Sequence, residues 1–166
     1  MPRMHALELM PDEAGCDVVR RDWQALRDAG LPSQLDHRGA TNSPHVTAVA
    51  APVLGRAEEE LAVELLGPLL PTDVRAAGIA LLGGHRVSLV RLLDAPDTLV
   101  RAVLELRGRV DGVQHTGWLP HVTLARRLDR ADVPAALEVL GHADVVLSLT
   151  TVRRWDPEEG IVITLG

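Results

Sequence analysis

Hydrophobic and polar positions follow two different periods along this chain, and the switches between them outline its elements. Residues 4–10, MHALELM, are short and mostly apolar, as a strand is. Over residues 14–29 the period becomes helical: Val18, Val19, Trp23, Leu26 and Ala29 share one face, and Gly30 and Pro32 stop the helix. Residues 30–43 are a polar loop. Residues 44–50, PHVTAVA, are β-branched and read as a strand, and residues 56–66 read as a helix closed by Gly67, Pro68 and Pro71. Two strands, 77–83 and 86–93, meet at Gly83-Gly84, a hairpin signal. A helix over 96–107 starts at Pro96, and a loop over 108–117 leads into WLPHVTLAR, 118–126. A helix over 131–140 stops at Gly141, and the alternating runs ADVVLSLTTVRRW and GIVITLG close the chain as two strands.

The order of elements repeats. Helix, polar loop, Pro-His-Val-Thr strand and helix occur around residues 14–66 and again around 96–140, the signature of an internal duplication. Pro44-His45-Val46-Thr47 and Pro120-His121-Val122-Thr123 are identical. Chance in a chain of this composition supplies far less than one such tetrapeptide. Strand side chains alternate between faces, so His45 and Thr47 point one way and Val46 the other; the same holds for His121 and Thr123. Each half therefore offers an imidazole and a hydroxyl on one face.

Two such pairs facing each other suit phosphodiester chemistry. A neutral imidazole takes a proton from water or a ribose hydroxyl, and a protonated one gives a proton to the leaving oxygen. The hydroxyls hold the non-bridging oxygens. In-line displacement puts nucleophile and leaving group on opposite sides of phosphorus, which opposed histidines match.

Composition narrows the options. The chain has 166 residues, 46% of them apolar, and a formal net charge of −6. That charge argues against a protein that tracks long nucleic acid by its phosphates, and leaves room for a pocket holding one phosphate. There is no Phe, no Tyr and no Lys; the aromatics are Trp23, Trp118 and Trp155, and every one of the 17 cations is Arg. A cationic grip on phosphate must come from arginine, with Arg126, Arg153 and Arg154 as candidates. Cys16 is the single cysteine, which excludes an internal disulfide and a multi-cysteine zinc site. With no signal-like or membrane-length apolar run, a cytoplasmic protein that uses no membrane is expected.

The segments HVTA at 45–48 and HVTL at 121–124 resemble the paired H-x-[ST]-x motifs of the two-histidine (2H) phosphoesterase superfamily. The likeness is greatest to its 2′-5′ RNA ligase or cyclic phosphodiesterase branch. The resemblance implies an α+β, bilobal, pseudo-twofold fold in one domain over 1–166. Two antiparallel sheets would flank a central cleft, with helices outside. It implies metal-independent opening or closing of cyclic phosphates on nucleotides or RNA ends, with no cofactor and a monomeric chain. It makes His45 and His121 the acid and the base, in that order, and Thr47 and Thr123 the phosphate ligands. Arg126 also resembles the family, yet strict alternation turns it away from His121, so reaching the cleft requires a bulge or a long reach.

Other residues have weaker claims. Arg153 and Trp155 are candidate substrate contacts, the indole for a base and the guanidinium for phosphate. Trp118 has the wrong parity and is expected to pack with Val122 and Leu124; Trp23 is expected in the core. His37 and His115 occupy matched loops before each motif strand, and His5 lies on the first strand. Three alternatives stay open beside cyclic phosphate hydrolysis. They are 2′-5′ RNA ligation, a module that binds a nucleotide or RNA end without turnover, and a metal site on the two histidines. The last has a poor ligand set.

Overall fold

The structure is a computed structural model that describes residues 3–166. Its strands are β1 (His5–Pro11), β2 (Val46–Ala51), β3 (Thr72–Gly83), β4 (Arg86–Asp94), β5 (His121–Asp129), β6 (Val145–Asp156) and β7 (Ile161–Leu165). The helices are α1 (Glu13–Asp28), α2 (Arg56–Leu66), α3 (Asp97–Arg109) and α4 (Val133–Leu140). The predicted elements all form. β3 starts earlier than its alternation suggests, because Thr72–Ala76 pair with β6, and the loop after α1 holds a short 3-10 turn, Gln34–Asp36.

Pairing throughout is antiparallel, in the order β2-β1-β6-β3-β4-β5, with β7 also on β6. β6 explains how two sheets become one. Its first half, Val145–Leu149, pairs with β3, and its second half pairs with β1 on one side and β7 on the other. One long strand thus serves as a shared spine for two wings, β2-β1-β6-β7 and β6-β3-β4-β5. The motif strands β2 and β5 end the two wings.

The core is built almost wholly of Leu, Val and Ala, with Trp23 the one fully buried aromatic. α1 starts at Asp12, whose side chain accepts the Gly15 N–H at 2.7 Å. Gly83, at φ 113°, makes the β3–β4 turn, where an added Cβ would meet the Arg86 carbonyl at 3.0 Å.

The helices are exchanged between wings. α1 follows β1 in sequence but packs on β5 and α4; α3 follows β4 but packs on β2 and α2. Each motif strand is therefore covered by a helix from the other half of the chain. No helix among the described residues is long and apolar enough to cross a membrane.

Candidate active site

His45 stands immediately before β2 and His121 opens β5. Both are held by the same local contact. Nδ1 of His45 lies 2.7 Å from the Ser43 carbonyl, and Nδ1 of His121 lies 2.7 Å from the Leu119 carbonyl. A carbonyl oxygen only accepts, so Nδ1 carries the hydrogen in each ring and Nε2 is the nitrogen left for other partners.

The backbone of each motif is pinned from the opposite half. The Trp118 indole N–H donates to the Thr47 carbonyl at 2.9 Å, and the Trp23 indole N–H donates to the Thr123 carbonyl at 3.0 Å. Arg107 of α3 adds a bond to the Ala48 carbonyl at 2.7 Å, and the Gln114 N–H one to the Ala50 carbonyl at 3.2 Å. The edge of β2 thus finds donors in the segment that leads to β5. Burial pushes the Arg107 guanidinium down from its ordinary range. The expected packing of Trp118 against the core is present, and parity gave no sign of this second role as a donor.

Strict alternation fails at one offset in both motifs. Glu8 faces Thr47 while Leu7 faces Val49, so Ala48 is an extra residue in β2. Val90 faces Thr123 while Leu89 faces Ala125, so Leu124 is an extra residue in β5. Consecutive residues are buried at each bulge, Ala48 with Val49 and Leu124 with Ala125. The bulge reverses the parity beyond it, so Arg126 returns to the face of His121 and Thr123. Ala50 is its counterpart in the first motif. The next residue, Arg127, takes the left-handed conformation at φ 58° where the register shifts again.

A cavity of about 500 Å³ opens over the first motif. His45, Thr47, Ala50, Arg126, Arg153 and Trp155 line it, together with Glu8 and the polar side chains of Gln34, His37, Thr41, Asn42 and Gln114. Five candidates from the sequence therefore share one space. His121 and Thr123 lie on the strand that delivers Arg126, outside the residues bounding this cavity. His121 remains partly exposed.

Glu8 is the group that sequence reasoning missed. Its carboxylate is buried, with Oε2 accepting from Arg153 Nε at 2.6 Å and Oε1 3.4 Å from Nε2 of His45. The available signal was a lone acid between Leu7 and Leu9, on the opposite strand face from both. Arg153 is itself buried and also donates to the Thr41 carbonyl at 3.3 Å. Arg154, a phosphate candidate by composition, is turned away. It bonds Glu59 of α2 at 2.8 Å and Asp156 at 3.0 Å, and its Nη2 lies 3.2 Å from His5 Nδ1. His5 Nε2 is 2.6 Å from Glu158, so His5 belongs to that cluster and not to the cleft. Cys16 is buried, and burial pushes its thiol up, away from nucleophile chemistry.

Comparisons with solved structures give the same fold. Kluyveromyces marxianus Usb1 matches with a TM-score of 0.52 at 14% identity, over 99% of this chain and 98% of that one. Escherichia coli LigT complexed with 3′-AMP matches with a TM-score of 0.56 at 16% identity, over 99% of this chain and 94% of that one. A protein described as a phosphoesterase matches with a TM-score of 0.53 at 14% identity, over 99% and 95%. No family model matches the chain, and no curated protein does. The chain has the α+β fold of these proteins over 99% of its length, the fold class that the motif resemblance implies, with the two expected antiparallel sheets joined through β6 into one of seven strands.

Proposed function

We propose that this chain is a phosphoesterase that hydrolyses a 2′,3′-cyclic or related small phosphodiester on a nucleotide or RNA end. His45 and His121 act as acid and base, and Thr47 and Thr123 donate to the phosphate oxygens. The observation that carries the reading is the matched anchoring of the two imidazoles, each with Nδ1 2.7 Å from a backbone carbonyl. With Nδ1–H committed to a backbone carbonyl in both, Nε2 is free to exchange protons.

In this scheme neutral His121 takes a proton from water at Nε2 as the water oxygen attacks phosphorus. The P–O bond to the leaving ribose oxygen breaks, and His45 gives that oxygen its Nε2 proton. His121 ends protonated and His45 neutral, and exchange with solvent resets both. Glu8 Oε1, 3.4 Å from His45 Nε2, lies within ion-pair reach of an imidazolium, which supports His45 as the donor. Arg126 supplies the cationic contact to phosphate, and Trp155 offers a face for a base. The fold likeness to a protein solved with 3′-AMP supports a small nucleotide ligand. The scheme uses no metal and no cofactor, and it needs only one chain. The net charge of −6 fits a nucleotide or RNA end better than an extended nucleic-acid surface.

The test is a screen of 2′,3′-cyclic mononucleotides and cyclic-phosphate-ended RNA in the presence of a chelator, with the position of the product phosphate identified. Turnover that both His45→Ala and His121→Ala abolish is expected. Binding without product would favour a nucleotide-binding module, and joining of the same labelled oligonucleotide would favour 2′-5′ ligation.

A further inference from the structure

The cavity carries a negative charge where a phosphate is to bind, and this calls for a reason. Glu8 is 5% exposed, lies on the cavity wall, and is fixed there by Arg153. A buried carboxylate beside an anion site opposes each added negative charge on the ligand. Its bond to Arg153 also neutralises one of the two arginines on that wall, leaving Arg126 as the unpaired cation there among the described residues. Such a balance accepts one negative charge more readily than two.

Phosphodiesters and phosphomonoesters differ in just this way. A diester carries a single charge at neutral pH, whereas a monoester loses a second proton at about pH 6. We infer that Glu8 is a specificity-determining residue that makes the cavity select phosphodiester monoanions over phosphomonoester dianions. The inference rests on the phosphoesterase reading above and names what that reading leaves open, namely how the substrate is told from its own product. Hydrolysis turns a monoanion into a dianion beside Glu8, so the same carboxylate weakens the hold on product once it forms.

The groups facing Glu8 are His45 ahead of β2 and Arg153 on β6, with Arg126 of β5 and His37 of the α1–β2 loop on the same cavity. Comparing a monoester with its own diester at one pH holds the charge on these neighbours fixed and isolates the extra charge on the ligand.

The test measures binding by calorimetry at pH 8 with two probes, a nucleoside 3′-monophosphate and its methyl diester. The wild-type protein is expected to prefer the diester. Glu8→Gln keeps the shape and an acceptor for Arg153, and is expected to tighten monoester binding on the order of tenfold and diester binding by about threefold, since the repulsion scales with ligand charge. An unchanged ratio between the probes in a folded Glu8→Gln protein would overturn the role of Glu8. Wild-type protein that binds neither probe would instead remove the phosphoesterase reading beneath it. A second measurement needs no variant: at pH 8 the wild-type protein must bind the diester more tightly than the monoester. The reverse order would overturn the inference even if Glu8→Gln does not fold.

Discussion

The indole N–H of Trp118 donates to the carbonyl of Thr47 at 2.9 Å, across 71 residues of sequence. Trp118 stands three residues before His121, and Thr47 two residues after His45, so this one bond ties the two motifs together. Trp23, on α1, makes the matching bond to Thr123. Each motif thus takes an indole donor from the other half of the chain, Trp23 from a helix and Trp118 from the loop before β5.

Removing either indole donor should therefore loosen a motif. Trp23→Phe removes the donor to the part-buried Thr123 carbonyl from a buried side chain and is expected to destabilise by about 1–3 kcal/mol. Trp118→Phe, at a half-buried site, should cost less in urea denaturation but lower turnover more than it weakens substrate binding. Unchanged kcat in Trp118→Phe would show that the bond holds the wings without positioning the site.

His45→Ala and His121→Ala should each abolish turnover while circular dichroism shows a folded protein. The wild-type rate should follow a bell-shaped pH profile, because one imidazole must be protonated and the other neutral. The two limbs belong to the pair and not to either ring alone. Substantial activity in either single variant would remove the acid–base scheme.

Loss of one hydroxyl donor is milder. Thr47→Ala and Thr123→Ala are expected to lower kcat by about 10²–10³-fold each, the usual cost of one donor to developing charge. Single-turnover kinetics on a cyclic mononucleotide would measure it.

Arg126 and Arg127 are neighbours with opposite expectations. Arg126→Ala should weaken phosphate binding on the order of tenfold or more, the worth of a charge-assisted hydrogen bond. Arg127 sits at φ 58°, where a side chain costs energy that glycine does not. Arg127→Gly should leave affinity unchanged and lower thermal stability little or not at all, while Arg127→Val should lower it clearly.

Acid stability has a local contributor in the loop that rims the cavity. The Ser33 N–H, at 2.9 Å, and then Arg27 hold the Asp36 carboxyl below its ordinary range. A lowered folded value means stability that is fully present above the unfolded value and is lost as pH falls through the folded one. Asp36→Asn should therefore lower the Tm at pH 7, and the gap from wild type should close as the pH drops below the normal carboxylate range.

The repeat of Pro-His-Val-Thr at half-chain spacing was enough to pick out two strands that end the two wings of the sheet. Periodicity was enough to place the helices, because each buries one apolar face whatever lies against it. Such patterns are local, and they report which face is buried without reporting what covers it. Hence the sequence could not show that α1 covers β5 and α3 covers β2, or that the two wings share β6. Nor does alternation survive a bulge: one extra residue at Ala48 and one at Leu124 reverse the parity beyond them. That reversal brings Arg126 into the cavity. Arg153 and Arg154 were indistinguishable as neighbours on a strand until Glu8 and Glu59 lay on opposite sides of the sheet to divide them. The donors and acceptors that the motif offers were legible in the residues themselves. The charge that surrounds it depends on contacts between residues 145 positions apart, Glu8 with Arg153, and only the folded chain sets those.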